Sequence, residues 1–242
     1  MESNDNPIYG EDIHEKINSN LFEFISKGDI NSLKPSINKK NFAFWKLKDN
    51  EGFTCLIRAI FLNKTEIAIL LIDAAKNIFM NIDDRISLHT WINKKADNGF
   101  NAIHYASFRG NVTLIEKLIE HGADMTIKNN NGLNVIHLAA QGDKPNVLVY
   151  FREKYGMKMD CLDAVYSTPL HWSSYLGAEN SLDYLVSWNV NLNAKDKDGF
   201  TPLHLAVMAG KNKLDLILNI RKIKNCKKVN TDRCGPIFKR FK

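Results

Sequence analysis

Short apolar runs recur along the chain, each opened by a polar residue suited to capping a helix. The clearest is Asp196-Lys-Asp-Gly-Phe-Thr-Pro-Leu-His-Leu-Ala-Val-Met-Ala-Gly210. Asp196 to Gly199 predicts a tight turn, with Gly199 where φ must be positive. Thr201 is placed to cap a helix, and Pro202 fits its first turn, where no N–H is needed. Leu203 is expected in the core, while Ala206 and Ala209 keep one face small enough for another helix to lie close. Gly210 stops the helix. His204 sits one turn above the cap, where its ring can bond the Thr201 hydroxyl and nearby backbone. Near the other end, Leu21-Phe-Glu-Phe-Ile-Ser-Lys-Gly-Asp-Ile-Asn-Ser-Leu33 also has helical spacing, with a stop at Gly28.

The Thr-Pro-Leu-His pattern returns as Thr168-Pro-Leu-His171, Asn134-Val-Ile-His137, Asn101-Ala-Ile-His104 and Thr54-Cys-Leu-Ile57. The steps from His104 to His137, His171 and His204 are 33, 34 and 33 residues. With Ile115-Glu-Lys-Leu-Ile-Glu-His-Gly-Ala-Asp124 and the link Asn191-Leu-Asn-Ala194, these motifs resemble ankyrin repeats. The resemblance covers roughly residues 16–225. It implies an all-α ankyrin-repeat solenoid: helix-turn-helix units joined by β-turn fingers.

Taken in order, residues 1–15 are expected to form a flexible leader and 16–225 the array. The array would comprise a degenerate N-terminal cap and about five repeats. Ile57 stands where the motif histidine should be, which predicts a weaker cap network there. From Ile57 to His104 the step is 47 residues, an insertion of about fourteen placed around 73–91. That insertion is too apolar for a solvent loop. It predicts a lengthened second helix plus a short helix, serving local packing or docking. Pro145 fits the start of an outer helix. Tyr166 replaces the turn glycine of the fourth repeat, which predicts a locally different finger. Asn189 replaces a closing glycine and tolerates positive φ. Leu214–Leu218 is expected to form a further outer helix, and 226–242 a basic tail or truncated repeat.

Composition changes this picture at two points. The net charge of +6 is concentrated at the C-terminal end. From Lys211 onward eleven Lys or Arg face Asp215 and Asp232, so the remaining residues carry a net negative charge. The tail is therefore expected to touch anionic surfaces weakly. There is no long apolar run and the first residues are polar and acidic, which points to a cytoplasmic protein. Cys55, Cys161, Cys226 and Cys234 have no metal spacing, and Cys55 is expected to be a buried small residue.

Nothing in the sequence calls for catalysis, a cofactor or a small-molecule substrate. The four motif histidines occupy repeat-defining positions, so no zinc site is expected. Asp49, Asp163 and Asp196 are turn carboxylates rather than an acid/base pair. No phosphate-binding glycine loop and no paired nucleophile are present.

The resemblance implies a groove between the fingers and the inner helices. Residues just before each cap include Phe53, Phe100 and Phe200. Just after the histidine position come Arg58, Tyr105 and Trp172; three further along come Phe61, Phe108 and Tyr175, with Arg109 at the edge. This set, Trp172, Tyr105, Tyr175, Phe108, Phe61, Phe100, Phe200 and Arg109, either binds a partner or packs between fingers. The expected partner is a protein or peptide segment, and proline in it would suit flat rings. Parts of the chain, notably Ser167-Thr-Pro-Leu-His-Trp172 and Tyr184-Leu-Val-Ser-Trp-Asn-Val-Asn191, look like the ankyrin part of membrane palmitoyltransferases. The chain has no Asp-His-His-Cys motif, so that resemblance implies at most a substrate-recruiting module, membrane-associated in its full setting.

Overall fold

The computed structural model describes residues 20–38, 43–81 and 85–210. The leader 1–15, the tail 226–242 and Leu214–Leu218 lie outside the described residues. The described chain is helical, and its residues divide into two compact units. Of the described residues, one unit contains those up to 106 together with 113–125; the other contains 107–112 and 126–210.

In the first unit, helix α1 (20–27) buries Leu21 and Ile25, and Gly28 ends it in the left-handed conformation. Asp29 caps α2 (Ile30–Ile37) by accepting from the Ser32 N–H, and Leu33 and Ile37 face the core. A short 3₁₀ turn, Phe44–Lys46, precedes the first regular pair, α3 (Cys55–Phe61) and α4 (Thr65–Asn81). At 17 residues α4 outruns its neighbours, and α5 (Arg85–Ile92) follows it. These two helices take up the surplus over the repeat period. Helix α6 (Ala102–Arg109) begins in the first unit and ends in the second, and α7 (Val112–Glu120) packs Leu114, Ile115 and Leu118 into the core.

The second unit stacks inner helices α8 (Val135–Gln141), α10 (Pro169–Leu176) and α12 (Pro202–Met208), with α9 (Pro145–Tyr155) and α11 (Glu179–Ser187) as outer partners. Pro145 opens α9 and Asn189 sits at φ +56°, as the sequence predicts. At Thr168 and Thr201 the hydroxyl caps the helix while the motif histidine returns a bond to the cap's own N–H.

The fingers share one geometry. In each of four, an Asp or Asn at the first position accepts from the backbone two and four residues on. Asp49 takes Glu51 and Phe53, Asn129 takes Asn131 and Leu133, Asp163 takes Val165 and Ser167, and Asp196 takes Asp198 and Phe200. The fourth position needs φ near +75°, held by Gly52, Gly132 and Gly199 at +73°, +77° and +82°. Tyr166 holds the same place at +61° and donates the same N–H to Asp163 O at 3.2 Å. The expected local difference at Tyr166 is thus corrected: the finger keeps its shape and the tyrosine is forced into it.

Candidate partner-binding surface

The aromatic positions picked out by the repeat fall into two groups, one in each unit. In the first unit, Tyr105 is buried, and Phe53, Phe61 and Phe100 surround it with ring centroids 5.5, 5.7 and 5.7 Å away. Its hydroxyl accepts from Asn98 Nδ2 at 2.8 Å, and burial raises its pKa. Arg58 lies over the Phe53 ring at 4.7 Å and donates to Asp49 Oδ2 at 2.6 Å, so a finger carboxylate and a ring hold it together. Phe61 and Phe100 are half-buried and give this group its solvent edge.

In the second unit, Trp172, Tyr175, Phe108 and Phe200 are half-buried and Arg109 is exposed. Arg109 lies 5.9 Å from the Phe108 ring, and Phe200 tilts onto the His204 ring at 6.1 Å. The Trp172 indole donates from Nε1 to Asp163 Oδ2 at 3.0 Å. Asp163 therefore builds its finger with one oxygen and aims the tryptophan with the other. That orientation follows from the finger, because Asp163 Oδ1 is already fixed by Val165 and Ser167.

Sequence reasoning singled out Tyr166 for its turn but did not include it in the partner surface. It is 56% exposed, and among the described residues its side chain makes no hydrogen bond, ion pair or ring contact. The signal was available: every other finger of this geometry has glycine at that position. Leu162, 44% exposed, stands beside the same finger.

Two of the motif histidines, His137 and His171, are ties between repeats. His171 accepts the Thr168 N–H on Nδ1 at 3.1 Å, which leaves the proton on Nε2 to donate to Phe200 O at 3.1 Å. His137 sits in the same place, with Asn134 Oδ1 2.7 Å and Asn134 N 3.3 Å from Nδ1, and Ser167 O 3.3 Å from Nε2. Each ring thus joins its own cap to the finger of the next repeat. Burial lowers the pKa of His171 and His204, and brings His137 down to about 4. Both ring nitrogens of His171 are engaged by the protein. Among the described residues no cluster of three or more potential ligands occurs.

One pair resembles a nucleophile and its base. Cys161 Sγ is 3.8 Å from His137 Nδ1 and 3.6 Å from Asn134 Oδ1. Burial pushes its thiol up to about 11, so at neutral pH it is protonated and unreactive. Cys55 is buried as expected, with its thiol donating to Phe44 O at 2.9 Å and pushed up to about 12. Among the described residues no helix is long and apolar enough to cross a membrane.

A family model of ankyrin repeats matches residues 85–163 and 136–231, together more than half of the chain. Palmitoyltransferase AKR1 of Lachancea kluyveri is 30% identical over 141 residues, covering 54% of this chain and 19% of its own length. Human palmitoyltransferase ZDHHC13 is 34% identical over 154 residues, covering 50% of this chain and 24% of its own. The human transient receptor potential cation channel subfamily A member 1 is 30% identical over 135 residues, covering 53% and 12%. The chain thus spans less than a quarter of the length of these relatives.

Proposed function

The chain belongs to the ankyrin-repeat family, and from that membership we propose a non-catalytic module that docks a partner segment on the finger and inner-helix side of its second unit. Ankyrin repeats are protein-interaction modules, and the finer reading rests on one observation. A tyrosine whose side chain makes no hydrogen bond, ion pair or ring contact among the described residues occupies a backbone position built for glycine. Left-handed backbone costs a non-glycine residue about 1–2 kcal/mol, and strain of this kind collects at binding sites. The Trp172 indole, aimed by Asp163, supplies the adjoining flat surface. An extended segment with proline suits such rings, because a stiff backbone loses little entropy on docking.

The test is a displayed peptide library panned against the intact chain, followed by titration of the selected peptides against variants. Trp172→Ala is expected to weaken binding by about 2 kcal/mol, as central aromatics do. Val149→Ala, on the outer helix α9, should leave it unchanged. Equal affinities for these variants, with both shown to be folded by melting curves, would return Trp172 to a packing role.

A second reading is favoured by the relatives themselves, two of which are palmitoyltransferases that extend far beyond the matched region. On that reading the module recruits substrates for protein S-acylation. An open frame continuing past Lys242 in the genome and encoding Asp-His-His-Cys would support it; a stop codon at that point would leave a free-standing module.

A further inference from the structure

The surplus of the long repeat builds a cleft in the first unit. The cleft measures about 640 Å³, within the range of small-molecule sites. Its apolar wall comes from three rings on three elements: Trp45 of the 3₁₀ turn, Phe79 near the end of α4, and Trp91 of α5. Phe79 and Trp91 are each only 4% exposed and form the base, while Trp45 is half-buried and forms the side.

These rings are held before any ligand arrives. Trp45 meets Phe79 edge-on at 5.3 Å, and Trp91 meets Phe44 edge-on at 5.9 Å. The rim is held too. Asn93 donates to His89 O and Gly122 O at 2.9 and 2.8 Å and accepts from the Asp124 N–H at 2.8 Å, tying the end of α5 to the loop after α7. Its amide is thus spent on structure.

What remains for recognition is charge. Lys46 and Lys94 stand at the rim; among the described residues no acidic side chain lines the cleft and neither lysine forms an ion pair. A flat apolar floor beneath two ammonium groups fits a ligand with an aromatic body and one anionic group. We infer that this cleft binds a small aromatic carboxylate, with the ring against Trp45, Phe79 and Trp91 and the carboxylate between Lys46 and Lys94. The extra residues of the long repeat would then serve a ligand rather than the regular stacking of helices.

The test uses the full chain, titrated with 2-naphthoate and, separately, with the neutral 2-naphthalenemethanol. Indole N–H resonances, assigned by Trp→Phe variants, are the readout. The expected result is saturable movement of the Trp45 and Trp91 signals with 2-naphthoate, and binding of the alcohol weaker by about tenfold or more. The Lys46→Gln/Lys94→Gln double variant, on surface positions that leave the rings in place, should lower naphthoate affinity to that of the alcohol without changing the alcohol's own affinity. Failure of both indoles to move, equal affinity for acid and alcohol, or movement confined to Trp172 or Trp188 would each overturn the assignment.

Discussion

Tyr166 shows at the scale of one residue how a fold can be overruled locally. A glycine there would satisfy the turn; the tyrosine satisfies it only because the surroundings fix the backbone. The Asp163 carboxylate accepts from both Val165 and Ser167, and the neighbouring fingers add Ala164 N to Asn131 O and Lys197 N to Val165 O, each 2.9 Å. Tyr166→Gly should therefore raise stability by about 0.5–1 kcal/mol, the relief of left-handed strain less the entropy cost of glycine. Tyr166→Ala keeps the strain and loses only the ring, so its stability should match wild type. Urea unfolding of the three proteins tests this, and a less stable glycine variant would mean that the ring holds the finger. Both variants should lose affinity for peptides selected on wild type. The anomaly was legible in the sequence as a tyrosine in a glycine column. Its backbone conformation was not, because the bonds that enforce it come from neighbouring fingers.

Helix ends show the same limit at the scale of the element. Thr168 and Thr201 were readable as caps because their partners lie three residues on. Helix α11 has no capping side chain at its own first position, Ala178. Asp143, from the loop after α8, supplies the cap instead: Oδ1 accepts the Ser181 N–H at 2.8 Å and Oδ2 accepts from Asn180 Nδ2 at 2.7 Å. Asp143 itself sits at φ +54°, a conformation that Asp tolerates better than most residues. No local pattern marks a cap whose partner is 38 residues away. Asp143→Ala should lose the cap and add strain, costing about 2 kcal/mol, whereas Asp143→Gly loses only the cap and should cost about 1. Equal losses measured by urea unfolding would remove strain from the account. At the same scale, the surplus residues were recognisable as apolar and helical, but the cleft they build was not, since Trp45 comes from a turn well outside them.

For the molecule as a whole, the period and the motif histidines carried the fold, because each repeat can bury its apolar face only against the next. The partner surface was legible only in part: spacing gave Trp172 and Tyr105 equivalent positions, yet one is half-buried and the other sealed among rings. The histidines also couple whole-chain stability to pH. His137, His171 and His204 are each less easily protonated in the folded chain than in the unfolded one, first because they are buried. For His171 protonation would also break the bond that Nδ1 accepts from Thr168. Between the ordinary value of 6.5 and the lowered values, the unfolded state binds more protons than the folded state, so stability rises with pH across that window. The contribution is complete above pH 6.5 and is lost on acidification toward pH 4, where His137 titrates. His137 alone accounts for on the order of 3 kcal/mol. Urea unfolding between pH 7 and pH 4 should therefore show a steep acid limb, with chelator making no difference at any point. His171→Gln should be less stable at neutral pH by about 1–3 kcal/mol, the cost of a lost buried hydrogen bond. Its acid limb should also be shallower, because one of the three proton acceptors is gone. A limb of unchanged steepness in that variant would place the proton uptake outside the histidine ties.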